Sequence, residues 1–227
     1  MLKMKNITKL FLYLNLCLTL LACSKISPKG EIEVKDVTVE NFTKLNLKGD
    51  FKVFFAKGNQ NLVSVETYPN VYKNLDIEVE NGILTIEENR KTEQVDFYNI
   101  TIFGKNDLNE VSLSDKVEMN VSGQVKTPEF SLHLKGNSKF MGAVMAPKSK
   151  IEMAEKSNAN ILGETKNLNL KLADSASIMA PYFYVENLEI LSQNGASAGL
   201  NIDQEMKGTL ENTSKLIFYG EPLNKLT

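Results

Sequence analysis

"LKLADSASIMA" runs from Leu170 to Ala180. Leu170 and Leu172 alternate with polar neighbours, the pattern of a half-buried strand. Asp174 follows, then small Ala176, then the apolar pair Ile178 and Ala180. The same order recurs along the second half of the chain at spacings of about 18 to 21 residues, within the range that marks a solenoid. Positions equivalent to Leu172 are Leu113, Leu134, Met153, Ser192 and Leu210. Two residues earlier stand Val111, Leu132, Ile151, Leu170, Ile190 and Gly208. Six later stand Met119, Phe140, Ala159, Ile178, Ala198 and Leu216. Eight later stand Val121, Gly142, Ile161, Ala180, Leu200 and Phe218.

A coil of short strands explains the columns. Each coil stacks on the next at about 4.8 Å, so like residues form ladders. The four apolar columns face inward and build a core that no coil could bury alone. Four residues after the reference lies a column of small residues, Val117, Ser138, Ser157, Ala176, Ala196 and Ser214. It predicts a tight corner. The chain is therefore expected to be all-β, a parallel β-helix with three short sides. The crossover rule predicts that it is right-handed. The alternative is an antiparallel sandwich, which also spaces its turns regularly but needs no register between columns. Regular coils are expected over residues 108–222. Residues 34–107 have the same strand texture without register, and read as irregular coils or as a cap hiding the solenoid's edge.

The extreme N-terminus differs. Lys3, Lys5 and Lys9 precede an apolar run from Leu10 to Ala22. This is the layout of a secretory signal, and the run is too short to span about 30 Å of hydrocarbon as a helix. It closes as Leu20-Leu21-Ala22-Cys23, which resembles the bacterial lipobox. Residues 1–22 are thus expected to be a lipoprotein signal peptide. Cys23 is the expected lipidation site, carrying acyl chains such as palmitate, since several chains anchor stably where one is marginal. Cys17 follows bulky Leu16 and competes poorly. Residues 23–33 read as a polar tether, and 34–227 as the head. With Cys23 lipidated, no intramolecular disulfide remains, and packing alone must hold the fold. Loss of three lysines makes the mature chain more acidic than the full chain's net charge of −2. That argues against nucleic acid, which requires a basic stripe.

"FKVFFAKGNQNLVSVETYPN" (Phe51–Asn70), "NGILTIEE" (Asn81–Glu88), the serine-bearing repeats and the closing "LIFYGEP" (Leu216–Pro222) resemble the head GIN domain family. Its members are exported bacterial proteins, often lipidated, common in Bacteroidota and carrying an autotransporter-adhesin label. The resemblance covers nearly all of Val34 to Pro222. It implies a right-handed β-helix and no established biochemical activity. Family corners tend to read Gly-Ser-Gly, and the nearest match here is Gly195-Ala196-Ser197. With no barrel-forming segment after Leu226, the chain is expected to be held by lipid and not to export itself.

Few residues suggest chemistry. His133 is the only histidine. It falls between inward Leu132 and Leu134, so it should face solvent, and no metal site is expected. Two residues after the reference runs a ladder of Asp115, Gly136, Glu155, Asp174, Asn194 and Asn212. Asp115, Glu155 and Asp174 make a carboxylate ladder of the kind some polysaccharide-cleaving β-helices use, or that suits Ca²⁺. Turn chemistry explains the same residues more simply, because Asp and Asn tolerate left-handed backbone at corners. An outward column holds Met141 and Met179. Near it lie Tyr182, Phe183 and Tyr184, which cannot all face inward on an alternating strand. Together these five form a possible ligand patch that would stack on sugar rings or meet a partner.

The chain thus reads as a non-enzymatic cell-envelope lipoprotein of the outer membrane, facing the periplasm or displayed at the cell surface. It needs no cofactor. Its partners are expected to be the membrane, through Cys23, and a glycan or surface protein. The alternative is a structural or scaffolding module of the periplasm. A carbohydrate-active enzyme using Glu155 and Asp174 is the third reading.

Overall fold

A computed structural model describes residues 25–227. The expected signal segment and Cys23 lie outside them. About 65% of the chain is strand and 2% helix, arranged as a β-solenoid of about 6 turns. In chain order the elements begin with β1 (Glu33–Thr38), β2 (Lys44–Gly49), β3 (Lys52–Lys57) and β4 (Leu62–Thr67). They continue with a one-turn helix α1 (Pro69–Tyr72), β5 (Leu75–Glu80), β6 (Ile83–Glu88) and β7 (Asn99–Gly104). Next come β8 (Glu110–Asp115), β9 (Glu118–Lys126), β10 (Glu129–Leu134), β11 (Lys139–Met145) and β12 (Lys148–Met153). The last are β13 (Asn158–Leu172), β14 (Ser177–Ser192), β15 (Ser197–Leu210), β16 (Lys215–Tyr219) and β17 (Leu223–Leu226).

Each regular coil has three runs. Run A is the stretch exemplified by β10. Run B begins β11, and run C ends it. All the regular coils pair in parallel, and the expected columns are the observed ones, except that Phe218, expected inward, is 41% exposed on the last coil. Leu134 pairs with Leu113 and Met153, Met153 with Leu172, Leu172 with Ser192, and Ser192 with Leu210. In run B, Phe140 pairs with Met119 and Ala159, and Ala198 with Leu216. The inward side chains Leu132, Ile151, Leu170, Val144 and Ile178 have no solvent exposure. Burying one such side chain contributes about 1.5–3 kcal/mol relative to exposure. The small corner column is sealed as well, with Val117, Ser138, Ser157, Ala176 and Ala196 all at 0%.

Outward charges alternate in sign between coils. Glu118 meets Lys139, Glu129 meets Lys148, Glu152 meets Lys171, and Glu205 meets Lys225. Stacking in register would otherwise put like charges side by side, which is destabilising.

The N-terminal part is both coil and cap. β2 and β3 form one coil, and β6 and β7 form another, in register with the rest. Leu47 pairs with Ile86 on one side and with Leu113 on the other. Val53 likewise sits between Ile100 and Met119. Spatial order therefore runs β6/β7, β2/β3, β8/β9, which is not chain order. The cap is antiparallel: β5 on β6, β4 on β7, and β1 on β4. It covers the edge of the first coil, which would otherwise be open to pairing with another chain.

The segment expected as a short polar tether is fastened to this end. Ile26 is 9% exposed within the core cluster and forms a parallel bridge with Thr92. Docking removes its apolar side chain from water, and its backbone N–H and carbonyl exchange water for Lys91 and Glu93.

Candidate functional site

The residues with chemical potential fall in two places, the A/B corner and the B–C surface. The corner holds the expected oxygen ladder. Asp115, Glu155, Asp174, Asn194 and Asn212 have φ of 60°, 63°, 59°, 59° and 48°, and Gly136 has 74°. Each of these six coils thus turns through left-handed backbone at this position. Asn and Asp accept that conformation most readily after Gly. An added Cβ at Gly136 would lie 2.5 Å from the carbonyl oxygen of Asp115. Asn212 Nδ2 donates to Asn194 Oδ1 at 3.2 Å. The three carboxylates of the ladder are exposed, and among the described residues no group of three or more His, Cys, Asp or Glu is arranged to hold a metal ion. The conformation alone accounts for these residue types.

At the capped end the corner is richer. Glu88 is half-buried and accepts hydrogen bonds from the Asp50 N–H at 2.9 Å and the Thr92 hydroxyl at 3.1 Å. Burial pushes its carboxyl above the usual range, and those hydrogen bonds oppose the shift. The Tyr98 hydroxyl is held protonated by burial and then by the neighbouring Glu88 charge. This loop, 89–98, replaces the tight corner of the other coils.

His133 lies on the outside of run A, as its register requires. Its Nδ1 is 3.2 Å from Glu152 Oε2. Lys150 Nζ also pairs with Glu152 at 3.0 Å. That hydrogen bond is the chief cause holding the Glu152 carboxyl below its usual range, with charge from His133 and Lys171 adding to it.

The B–C surface separates the expected ligand patch into two kinds of residue. Met141 and Met179 are each 52% exposed, Tyr182 66% and Tyr184 57%. Phe183 does not belong with them: its exposure is 0%. The strand alternates through the three aromatics, so the flanking tyrosines face out and the middle ring enters the core. Its backbone partner in the preceding coil is Gly163. The register of β14 shifts here against both neighbours. Between Ala180 and Tyr184, β14 carries residues that β15 lacks between Leu200 and Asn201, and this is why Tyr182 stands so far out. Gly163 itself has φ 110°, and a Cβ there would lie 2.1 Å from the Val144 carbonyl oxygen.

Met141 and Met179 occupy one outward column of run B, with Ile217, 58% exposed, two coils beyond Met179. The Met179 thioether lies across Gly199, with Sδ and Cε 3.3 Å from where a Cβ would be. Beside this stripe, on run C, opens a groove of about 890 Å³ lined by Pro128, Met145, Pro147, Lys166 and Tyr184 among others. Tyr184 stands at the edge of the groove. Its register partners are Glu164 and Asn201, and Asn201 pairs in turn with exposed Tyr219. Ile217 belongs to the outward column expected from sequence, and Met145 and Tyr219 extend the surface beyond it. Their column could have been found by counting along run C, but the insertion before Tyr184 breaks the count.

The fold recurs in solved structures. A "putative adhesin" from Bacteroides fragilis superposes with a TM-score of 0.71 at 16% identity, covering 89% of this chain and 100% of that one. A "putative adhesin" from Parabacteroides distasonis gives 0.66 at 13% identity, covering 90% and 100%. A "putative lipid binding protein" from the same species gives 0.63 at 16% identity, with the same coverage. No curated protein sequence matches the chain. The family model described as "Putative auto-transporter adhesin, head GIN domain" matches residues 41–222, and with the solenoid and its corner ladder spanning that stretch, the chain belongs to the head GIN domain family.

Proposed function

We propose that the protein is a lipid-anchored, non-enzymatic binding module of the bacterial outer membrane. Cys23 carries the lipid, and the head presents the Met141, Met179, Tyr182 and Tyr184 surface to a glycan. The observation that carries this reading is the pairing of two outward tyrosines on one strand with an adjoining groove. Tyrosine rings offer flat apolar faces for sugar rings, and their hydroxyls remain free to hydrogen-bond. An exposed apolar patch on a protein otherwise ringed by charge pairs is the usual mark of a contact surface. The carboxylates Asp115, Glu155 and Asp174 have no part in it, because their positions follow from turn geometry.

The test is binding of the purified head to a panel of bacterial and host polysaccharides, with the Tyr182→Ala/Tyr184→Ala double variant alongside. Loss of at least tenfold in affinity in the double variant, with its melting temperature unchanged, is the expected result. Equal binding by both proteins removes this surface from the reading. Protease shaving of intact cells distinguishes display at the cell surface from a periplasmic position.

A further inference from the structure

The way the mature N-terminus meets the head has a positional consequence. The Ile26 N–H donates to the Lys91 carbonyl at 3.0 Å, and the Glu93 N–H donates to the Ile26 carbonyl at 2.9 Å. Ser27 Oγ donates to Glu93 Oε2 at 2.5 Å. Asn70 clamps the next turn: its Nδ2 donates to the Ser27 carbonyl at 2.8 Å, and its Oδ1 accepts from the Lys29 N–H at 2.8 Å. With the Ile26 side chain buried, the arm is fixed from residue 26 onward.

Only Ser24 and Lys25 separate Cys23 from that fixed point. Three Cα steps span at most about 11 Å even when fully extended. A lipidated Cys23 sits at the boundary of the hydrocarbon, beneath a headgroup layer about 5–7 Å deep. The slack left above the headgroups is therefore about one side chain. A head on so short an arm cannot stand off from its membrane.

The side that must face the bilayer is also defined. Lys25 lines a groove of about 540 Å³ together with Lys91, Lys116 and Lys156, and with the carboxylates of Asp50, Glu88, Asp115 and Glu155. These belong to the capped end and to the A/B corner of the coils that follow it. Lys25, Lys91 and Lys156 are exposed and form no ion pair within 4.0 Å among the described residues. The loop behind them exposes Phe97 at 47%. Acidic and basic groups are equal in number here, so charge selects no side; the arm leaves the head at this groove, and its shortness draws this corner to the headgroups, where an aromatic ring such as Phe97 suits the apolar margin. Run C, with the groove beside Tyr184, is the side of each coil that does not meet this corner.

We infer that the head lies against the phosphate headgroups of the bilayer that anchors it. The A/B corner, from Lys91 to Lys156, faces the lipid, and the Tyr184 surface is turned away from it. This rests on lipidation of Cys23, as proposed above. It makes the bilayer a second contact surface, and it fixes the direction in which the tyrosine face is presented.

The test uses the full chain, processed by its host and purified with its lipid. It is reconstituted into vesicles of phosphatidylethanolamine and phosphatidylglycerol doped with a nickel-chelating lipid. With Cys17 removed in the leader and Cys23 acylated, a single introduced cysteine is the sole thiol. A fluorophore is attached after Lys91→Cys, Lys156→Cys or Tyr219→Cys, all exposed positions. The expected result is quenching by headgroup nickel at 91 and 156 several-fold above that at 219. Adding Ile26→Asp, which frees the arm, should bring 91 and 156 down to the level of 219. Equal weak quenching at all three sites before the arm is freed overturns the proposal, as does strongest quenching at 219. Protein that fails to float with the vesicles overturns the anchor reading itself, and the proposal with it.

Discussion

Asp50 and Lys116 are 66 residues apart in the chain, yet Lys116 Nζ donates to Asp50 Oδ2 at 2.6 Å. The pair spans the junction where the β2/β3 coil meets the β8/β9 coil. Both side chains are about half exposed, so water and salt screen the attraction. Beneath them, at the same junction, Leu47 packs beside Leu113 with no exposure of its own. The two contacts join the same coils with very different strength.

Lys116→Ala should therefore cost no more than about 1 kcal/mol, the range of exposed ion pairs. Leu47→Ala should cost about 2–5 kcal/mol, as buried Leu to Ala changes do. Urea denaturation of the two variants checks the contrast. Comparable losses would mean that surface charge, and not the apolar column, holds the junction.

Burial raises the Glu88 carboxyl pKa above its ordinary value of 4.5. The folded protein therefore holds that proton to higher pH than the unfolded chain does. Its effect favours the fold most below the ordinary value and fades as pH rises through the raised one. Glu152 works in the other direction and in another window. Its lowered pKa adds stability that is present above the ordinary value and lost as pH falls through the folded one. Glu88→Gln should thus flatten the decline in stability above about pH 4.5 and leave the more acidic limb unchanged. Denaturant midpoints measured across that range decide it.

Glu155 holds a left-handed φ of 63° in a position that its neighbours fill with Gly, Asp or Asn. Left-handed backbone costs most L-residues roughly 1–2 kcal/mol. Glu155→Asn should raise the thermal midpoint slightly. Gly163→Ala should lower stability by more than about 1 kcal/mol, since the left-handed φ and the close Val144 carbonyl act together. A neutral Gly163→Ala would show that the bend before Tyr184 can relax.

Phe183→Ala should cost about 3–5 kcal/mol, as large aromatic deletions in cores do. Tyr184→Ala, one residue further on and exposed, should change stability by no more than about 0.5 kcal/mol. Thermal melts of the pair separate core from surface within a single strand.

The columns from Leu113 to Leu210 were legible because each coil repeats the same order of inward, left-handed and small positions, and stacking forces like onto like. The outward placement of His133, Met141 and Met179 follows from the same alternation. Phe183 was not legible, because the residues inserted before it change which side of the strand each ring takes. The register of Leu47 and Val53 was hidden for a different reason. Their coil lies between β6/β7 and β8/β9, so no fixed spacing in sequence links Leu47 to Ile86 and Leu113. The docking of Ile26 was unreadable too: one apolar residue in "SKISPKG" has no periodicity, and its partner Thr92 sits in a loop.

The exchanged coil order bears on how the chain assembles as it is made. From β8 onward each new coil finds a finished one to build upon, and pairing can advance like a growing crystal face. The first coil has no such template. β2 and β3 emerge early but are bounded on both sides by strands made later, and one of those neighbours ends only at Asp115. Pairing over such separations closes long loops before any contact rewards it, and is slow. The rate-limiting step should be the meeting of β2/β3 with β6/β7 and β8/β9, followed by rapid zippering toward β17. A chain cut after β9 would then already contain the hard part of the folding problem.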